Sequence, residues 1–228
     1  MKNYRLSTWL DTQMLASPSF QAALTHRSAG GNNNERLEYL GDAVLGMLIA
    51  EHLFRAHAHA SEGDLSRLRA YLVRKETLAE IARELNLTDL IVLGPGELKT
   101  GGHRRDTILA DALEAIVGAV YLERGLEDAR AFVLGLFQTR NAHLPSPEQL
   151  KDSKTRLQEF LQSRNLPLPD YRLHEVSGAA HAQHFAIRCQ LRDCAIETIG
   201  KGSSKREAEQ RAAAKALDMI QARHDERA

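Results

Sequence analysis

Residues 34–46 combine acidic and apolar side chains at a spacing that could support chemistry. Their carboxylates, Glu35, Glu38 and Asp42, lie at positions i, i+3 and i+7, so a helix would place them on one narrow face. Apolar residues, mostly leucine, cover most of the remaining circumference, which predicts a helix that is buried on nearly every side. Buried carboxylates raise one another's pKa and are costly to ionise unless a cation lies among them. A metal ion is the simplest such cation.

A second apolar stretch, residues 108–120, also contains acidic residues. Asp111 and Glu114 share one helix face, and small residues on that helix would let another helix approach closely. A single acidic pair at this spacing is more often an exposed helix face, but two pairs in apolar runs favour a shared metal site. An all-oxygen ligand set suits Mg²⁺, with Mn²⁺ able to substitute, rather than Zn²⁺. Because Mg²⁺ also favours phosphate oxygens as ligands, the pattern indicates phosphoester chemistry.

The segments around these acids carry weaker signals. The pattern predicts helices over 6–15 and 19–25, with Ser19 as the N-cap of the second and Asn34 as the N-cap of the acidic helix. His26 has no second His or Cys at a useful spacing, which favours a structural hydrogen-bonding role over a general base. Residues 93–105 are rich in glycine and basic residues, and we predict a loop that is a weak candidate for phosphate binding.

Length and composition limit the class of protein to which this chain can belong. The chain has 228 residues, 43% hydrophobic and 26% charged, which is typical of globular domains. Its longest apolar runs, residues 43–50 and 115–122, are too short to span a membrane, and residues 1–5 do not resemble a signal peptide. We therefore expect a cytoplasmic protein that does not contact membranes. Its formal net charge is zero, so any nucleic-acid binding must depend on the local distribution of charge.

The order of predicted elements divides the chain into two domains. Helical patterns fill residues 3–125, with a closing helix over 126–139, and prolines 145 and 147 lie in a linker that we place at 141–151. Residues 152–222 predict a helix at 153–164, strands near 171–176, 184–191 and 195–200, and a helix from 204 to about 222. The fold class is an all-α domain followed by a small α+β domain of order α-β-β-β-α.

Residues 34–46 resemble the signature of the bacterial ribonuclease III family, and residues 106–115 resemble its second catalytic segment. The resemblance implies a helical endonuclease that cuts double-stranded RNA with Mg²⁺. It implies metal-ligand roles for Glu38, Asp111 and Glu114, and direct roles in the chemistry for Asp42 and Glu114. Glu35 is similar to a further family acid near the cutting site. The products would carry 5′-phosphate and 3′-hydroxyl ends with short staggered 3′ overhangs, and the expected substrates are rRNA precursors and some mRNAs and tRNAs.

Residues 152–222 resemble a double-stranded RNA-binding domain in the order of their elements. The resemblance implies minor-groove contacts by Gln158 and Glu159 on the first helix, and by the loop 178–181 that contains His181. This loop lacks the proline that often precedes the histidine in that family. Cations and helix N-terminal amides would meet the major-groove phosphates. This last set comprises Lys201, Ser203, Ser204, Lys205 and Arg206.

Two other hypotheses compete with a nuclease. A non-catalytic regulator could bind double-stranded RNA and use the helical domain only to dimerise, but such a domain should have lost one of its acids, and none is missing. A metal phosphohydrolase for small substrates would not explain the C-terminal domain. The chain contains one acidic cluster, and cutting both antiparallel strands requires two, so we expect a homodimer with two-fold symmetry.

Overall fold

The computed structural model describes residues 6–179 and 182–225, and the chain divides into two compact units, Met1–Leu150 and Lys151–Ala228. The first unit is helical, and the second contains a three-stranded antiparallel sheet with helices. The predicted fold class is therefore confirmed.

Helices form the whole framework of the first unit. They are α1 (Thr12–Leu15), α2 (Pro18–Ala23), α3 (Glu35–Ala56), α4 (Glu62–Leu72), α5 (Lys75–Glu84), α6 (Pro95–Lys99), α7 (Asp106–Ala142) and α8 (Pro147–Leu150). Short 3-10 turns at Leu6–Thr8, Arg27–Ala29, Leu87–Asp89 and Gly102–Arg104 connect them. α3 and α7 pack together at the centre of one continuous apolar core.

The N-terminal helices differ in detail from the prediction. The predicted helix over 6–15 is interrupted, because Asp11 caps α1 by accepting from the N–H of Met14 at 2.8 Å. The second helix begins at Pro18 and is capped by Ser17 rather than Ser19. Proline at the first helical position loses no hydrogen bond, so Pro18 starts the helix instead of preceding it.

α3 is neither capped nor buried as predicted. The side chain of Asn33, not Asn34, accepts from the N–H of Glu35, at 3.1 Å, while Asn34 is buried. One face of α3 packs into the core, but Tyr39, Met47 and Phe54 are 82%, 46% and 70% exposed. The expectation of burial on nearly every side is therefore wrong within the first unit, because none of its other described elements covers this second face.

α7 changes direction at Gly125, whose φ of 83° and ψ of −176° lie outside the helical region. A left-handed φ of this kind favours glycine. The helix resumes at Leu126 and runs to Ala142, three residues beyond the predicted closing helix, and buries Phe132, Val133 and Phe137. α7 therefore supplies both the second acidic face and the closing layer of the core.

The second unit consists of α9 (Ser153–Gln162), β1 (Asp170–Ser177), β2 (His184–Leu191), β3 (Ile196–Gly202) and α10 (Lys205–Asp225). The sheet order is β1-β2-β3, with Tyr171 opposite Cys189 and Cys189 opposite Thr198. The hydroxyl of Thr198 donates to the carbonyl of Ala212 at 2.7 Å and ties β3 to α10. β3 is an edge strand, and α10 covers that edge with two donors: Lys215 donates to the carbonyl of Ile199 at 2.8 Å, and Arg211 donates to that of Lys201 at 2.9 Å.

Candidate metal centre

The centre lies where α3 and α7 meet at two glycines. A Cβ added to Gly41 would overlap the carbonyl oxygen of Glu114, and one added to Gly118 would overlap the carbonyl oxygen of Leu37. The two backbones are therefore in contact, as the small residues in 108–120 predicted. This contact leaves no room for side chains between the helices and brings the acidic face of α3 against that of α7.

Three of the predicted acids converge at this contact. Glu38, Asp111 and Glu114 are half-buried, and each offers a carboxylate oxygen within 4.8 Å of the others. Asp42 is exposed and lies outside this group of three. Glu35, also exposed, lies 3.6 Å from Arg27 and lines a cavity that Glu38 and Asp111 also line.

The pKa values show that the cluster is short of positive charge. Burial, together with repulsion by Asp42, Asp111 and Glu38, raises the pKa of Glu114 to about 8. Burial also raises the pKa of Glu38, with repulsion by Asp111 and Glu35 adding to it. Burial raises the pKa of Asp111 as well, although electrostatic interactions with His26 and Arg27 oppose this shift. Each shift favours a proton or another cation at the site.

The donor chemistry of the cluster fits a hard divalent cation. Three converging carboxylates provide only oxygen ligands, which Mg²⁺ and Mn²⁺ accept and which Zn²⁺ sites seldom consist of alone. A cation would also relieve the mutual repulsion that raises these pKa values. The residues present therefore suit a divalent metal.

Glu97 and Arg105 also line this cavity of about 600 Å³, and sequence reasoning assigned no role to either. Their guanidinium and carboxylate lie 2.5 Å apart. Both belong to residues 93–105, which we predicted as a loop and which the structure shows to contain α6 and a 3-10 turn. The sequence signal was present: Glu97 follows Pro95 in a first helical turn, a favoured position for both residues.

The first unit matches known nucleases over most of its length. A family model described as "Ribonuclease-III-like" matches residues 18–140, more than half of the chain. The sequence is 52% identical over 200 residues to "Ribonuclease 3" of Shewanella amazonensis, covering 88% of each chain. It is 54% identical over 206 residues to "Ribonuclease 3" of Nitrosococcus oceani, covering 90% of this chain and 88% of the relative. The chain belongs to the ribonuclease III family.

Membership of the ribonuclease III family makes the protein an endoribonuclease of that type. A solved structure of the nuclease domain of ribonuclease III from Campylobacter jejuni matches 59% of this chain and 92% of its own length, with 44% identity and a TM-score of 0.55. That domain is described as having structural flexibility in a region involved in dimer formation. Among the described residues, no helix is both long enough and apolar enough to cross a membrane.

The second unit of this ribonuclease III family member matches the "Double-stranded RNA binding motif" over residues 153–220. Gln158 is partly exposed on α9, and the exposed Glu159 pairs with Lys151 at 2.5 Å. His181 lies outside the described residues. The positions predicted to meet phosphates, Lys201, Ser203, Ser204, Lys205 and Arg206, are exposed between β3 and the first turn of α10.

Fewer backbone amides at the N-terminus of α10 are available to bind phosphate than we expected. Ser204 accepts from the N–H of Glu207 at 3.2 Å, and the carboxylate of Glu207 accepts from the N–H and the hydroxyl of Ser203, each at 2.7 Å. This reciprocal capping satisfies amides that we expected to be open to phosphate. The cations at Lys205 and Arg206 remain exposed on the same turn.

Proposed function

We propose that this protein hydrolyses phosphodiester bonds in double-stranded RNA with Mg²⁺ bound between α3 and α7. The observation that carries this proposal is the convergence of three half-buried carboxylates within 4.8 Å, with the pKa of Glu114 raised to about 8. A stable fold alone gives no reason to hold repelling, half-buried carboxylates this close together. Membership of the ribonuclease III family supports the same chemistry.

The proposed roles follow from the family resemblance and are supported by position. Glu38, Asp111 and Glu114 hold the metal, which when bound supplies Lewis acidity and lowers the pKa of water. The family resemblance assigns the most direct roles in the chemistry to Asp42 and Glu114, and the charge of Asp42 acts on Glu114 by repelling it. Glu35, at the margin of the cavity, orients the substrate or the metal ligands. The proposed products carry 5′-phosphate and 3′-hydroxyl ends with short staggered 3′ overhangs.

We propose that the second unit supplies affinity for the RNA duplex. Exposed cations at Lys201, Lys205 and Arg206 would meet phosphates across a major groove, with Ser203 and Ser204 beside them. Gln158 and Glu159 on α9 and His181 in the loop after β1 would reach the flanking minor grooves. The match to a double-stranded RNA-binding motif over residues 153–220 supports this assignment.

The proposed working unit is a homodimer that buries the exposed apolar face of α3, defined by Tyr39, Met47 and Phe54. Large exposed apolar side chains aligned on one helix are typical of an interface. The Campylobacter jejuni relative is described with a region involved in dimer formation, which supports this proposal. From the family relationship we also propose a cytoplasmic enzyme that processes rRNA precursors and some mRNAs and tRNAs.

A non-catalytic regulator remains the competing hypothesis, but it is not favoured. Such a protein would need no converging carboxylates, yet Glu38, Asp111 and Glu114 converge and Asp42 is present beside them.

A cleavage assay tests the proposed activity. The purified protein should cut a long RNA duplex in Mg²⁺ or Mn²⁺, and should leave it intact in excess EDTA and leave a single-stranded RNA of the same length uncut. Duplex that stays intact in Mg²⁺ while it is bound by the protein would support the regulator instead.

A further inference from the structure

The turn that precedes α6 is fastened to a distant part of the chain by the side chain of Ser28, which in turn contacts the side chain of His26. We propose that these two residues are positioning residues for the metal centre, and that they act by placing Glu97 at the edge of its cavity. The inference rests on the proposed function, since it requires a cation between α3 and α7. It concerns residues that lie outside the acidic faces of both helices.

Ser28 lies at the centre of this fastening. Its hydroxyl oxygen accepts from the N–H of Gly94 at 2.9 Å, across 66 positions of sequence. The same oxygen lies 2.8 Å from Nδ1 of His26, and the N–H of Ser28 donates to that nitrogen at 3.2 Å. Because Nδ1 accepts here, a neutral His26 carries its proton on Nε2, and the Ser28 hydroxyl can donate to Nδ1 while accepting from Gly94.

Backbone contacts reinforce the same junction. The N–H of His26 donates to the carbonyl of Val92 at 3.0 Å, and the N–H of Val92 donates to that of Leu24 at 2.8 Å. A Cβ added to Gly94 would overlap the carbonyl oxygen of Ser28. The two segments are therefore in contact, and a shift of Ser28 moves Gly94 with it.

The short helix α6 connects this junction to Glu97. Pro95 follows Gly94 directly and begins α6, which has only five residues. A helix of this length does not hold together in isolation, so tertiary contacts at its ends must fix its direction. The hydroxyl of Ser28 supplies one such contact at Gly94, which lies three residues before Glu97.

Glu97 is held where its carboxylate would attract a cation bound in the cavity. Its half-buried carboxylate lines the same cavity as Glu38 and Asp111, and it pairs with Arg105 at 2.5 Å. Gly102 is also so close that an added Cβ would overlap the Glu97 side chain. Glu97 thus has little freedom to compensate for a displaced backbone, and losing the Ser28 contact should withdraw this charge from the metal.

The test uses Mn²⁺ alone as the probe, with the full chain and no RNA. The dissociation constant for Mn²⁺, measured by electron paramagnetic resonance, should rise by about 10-fold in Ser28→Ala and in Glu97→Gln, the range typical of residues that orient metal ligands. The double variant should be no weaker than Glu97→Gln alone, because both changes remove one effect. High Mn²⁺ should restore cleavage by Ser28→Ala, and Ser28→Thr, which keeps the hydroxyl, should bind Mn²⁺ as the parent does.

Thr25→Ala is the matched control. The hydroxyl of Thr25 belongs to the same segment but donates to the carbonyl of Gln21, so its loss should leave Mn²⁺ affinity unchanged. If Ser28→Ala fails to fold, Ser28→Cys provides the same comparison, because sulfur is a weaker acceptor of similar size.

Additive losses in the double variant, or unchanged Mn²⁺ affinity in folded Ser28→Ala or Ser28→Cys, would overturn the inference. Glu114→Gln separates this failure from failure of the proposed function. If only Glu114→Gln loses Mn²⁺, the metal centre stands and the positioning role falls. If Glu114→Gln binds Mn²⁺ normally, the metal centre itself is wrong.

Discussion

At the scale of single residues, Glu114 governs how the centre responds to protons and to metal. Its carboxylate is half-buried, and three other carboxylates repel its charge. A proton and a divalent cation therefore compete for the same place. Replacing the carboxylate by an amide of the same shape separates its charge from its packing.

We predict that Glu114→Gln retains binding to an RNA duplex but that its rate of cleavage in Mg²⁺ falls by roughly 100-fold or more, above the range for residues that only orient ligands. Gel-shift and single-turnover cleavage assays on one preparation measure both properties. Asp89→Asn, on the 3-10 turn after α5 and away from the cavity, should cleave normally. Normal cleavage by Glu114→Gln would contradict its assignment as a metal ligand.

The same residue predicts how stability changes with pH. The pKa of Glu114 is about 8 in the folded protein, above its ordinary value of 4.5, so between these values the folded state holds a proton that the unfolded state has lost. The free energy of unfolding of the metal-free protein should therefore fall as pH rises from about 4.5 to about 8. Thermal melts across this range in EDTA should show the decline. Mg²⁺ should reduce it, because the cation replaces the proton, and Glu114→Gln should weaken it in EDTA.

Sequence spacing was sufficient to find the acids on α3 and α7, because helical periodicity depends only on local positions. It did not find Glu97, whose relation to Asp111 depends on a contact between Ser28 and Gly94 that is distant in sequence. It also assigned the α3 cap to Asn34, since choosing between adjacent asparagines requires the backbone angles at the turn.

At the scale of elements, the contact of α3 with α7 through Gly41 and Gly118 sets the width of the metal centre. A methyl group at Gly41 would force the helices apart. We predict that Gly41→Ala lowers the free energy of unfolding by about 1–3 kcal/mol, as overpacking does, and weakens Mn²⁺ binding.

Gly46→Ala is the control on the same helix. An added Cβ there meets nothing within 4 Å, so the higher helix propensity of alanine should stabilise the protein by up to about 1 kcal/mol. Chemical denaturation and Mn²⁺ titration of both variants check the pair. Equal behaviour of the two would show that the backbone contact does not set the geometry of the site.

Long elements were predicted better than short ones. β2 occupies the predicted residues 184–191, and the helix predicted from 204 begins at Lys205, because alternation and apolar periodicity persist over many residues. α1 and α6 have four and five residues and too few positions to show a period. A helix pattern predicts that the apolar face of α3 is covered, but it does not reveal whether the covering surface belongs to the same chain.

At the scale of the whole molecule, we predict a dimer of about twice the 25.4 kDa chain mass in sedimentation experiments at micromolar concentration. Phe54→Asp should give monomers, since it places a charge in the proposed apolar interface. Mixtures of the parent with Glu114→Gln should form heterodimers that nick one strand. A monomeric parent that still made paired, staggered cuts in single encounters would contradict the dimer.

The division into two units predicts that the first unit cuts RNA and that the second supplies affinity for the RNA duplex. Residues 1–150 alone should cut an RNA duplex at low salt and lose activity as salt rises, because they lack the phosphate contacts proposed for Lys201, Lys205 and Arg206. The full chain with Lys205 and Arg206 both replaced by alanine should show an intermediate salt dependence. Cleavage rates measured over a series of salt concentrations check this. Equal rates for residues 1–150 and the full chain at physiological salt would place the affinity in the first unit.

The donors that α10 directs at β3 have a consequence for how the protein behaves at high concentration. An edge strand with open carbonyls is a template on which another chain can add a strand, and growth of this kind leads to aggregates. Lys215 and Arg211 occupy the carbonyls of Ile199 and Lys201, so a neighbouring strand would have to displace both cations before it could pair. These two donors therefore protect the β3 edge of the sheet against strand addition.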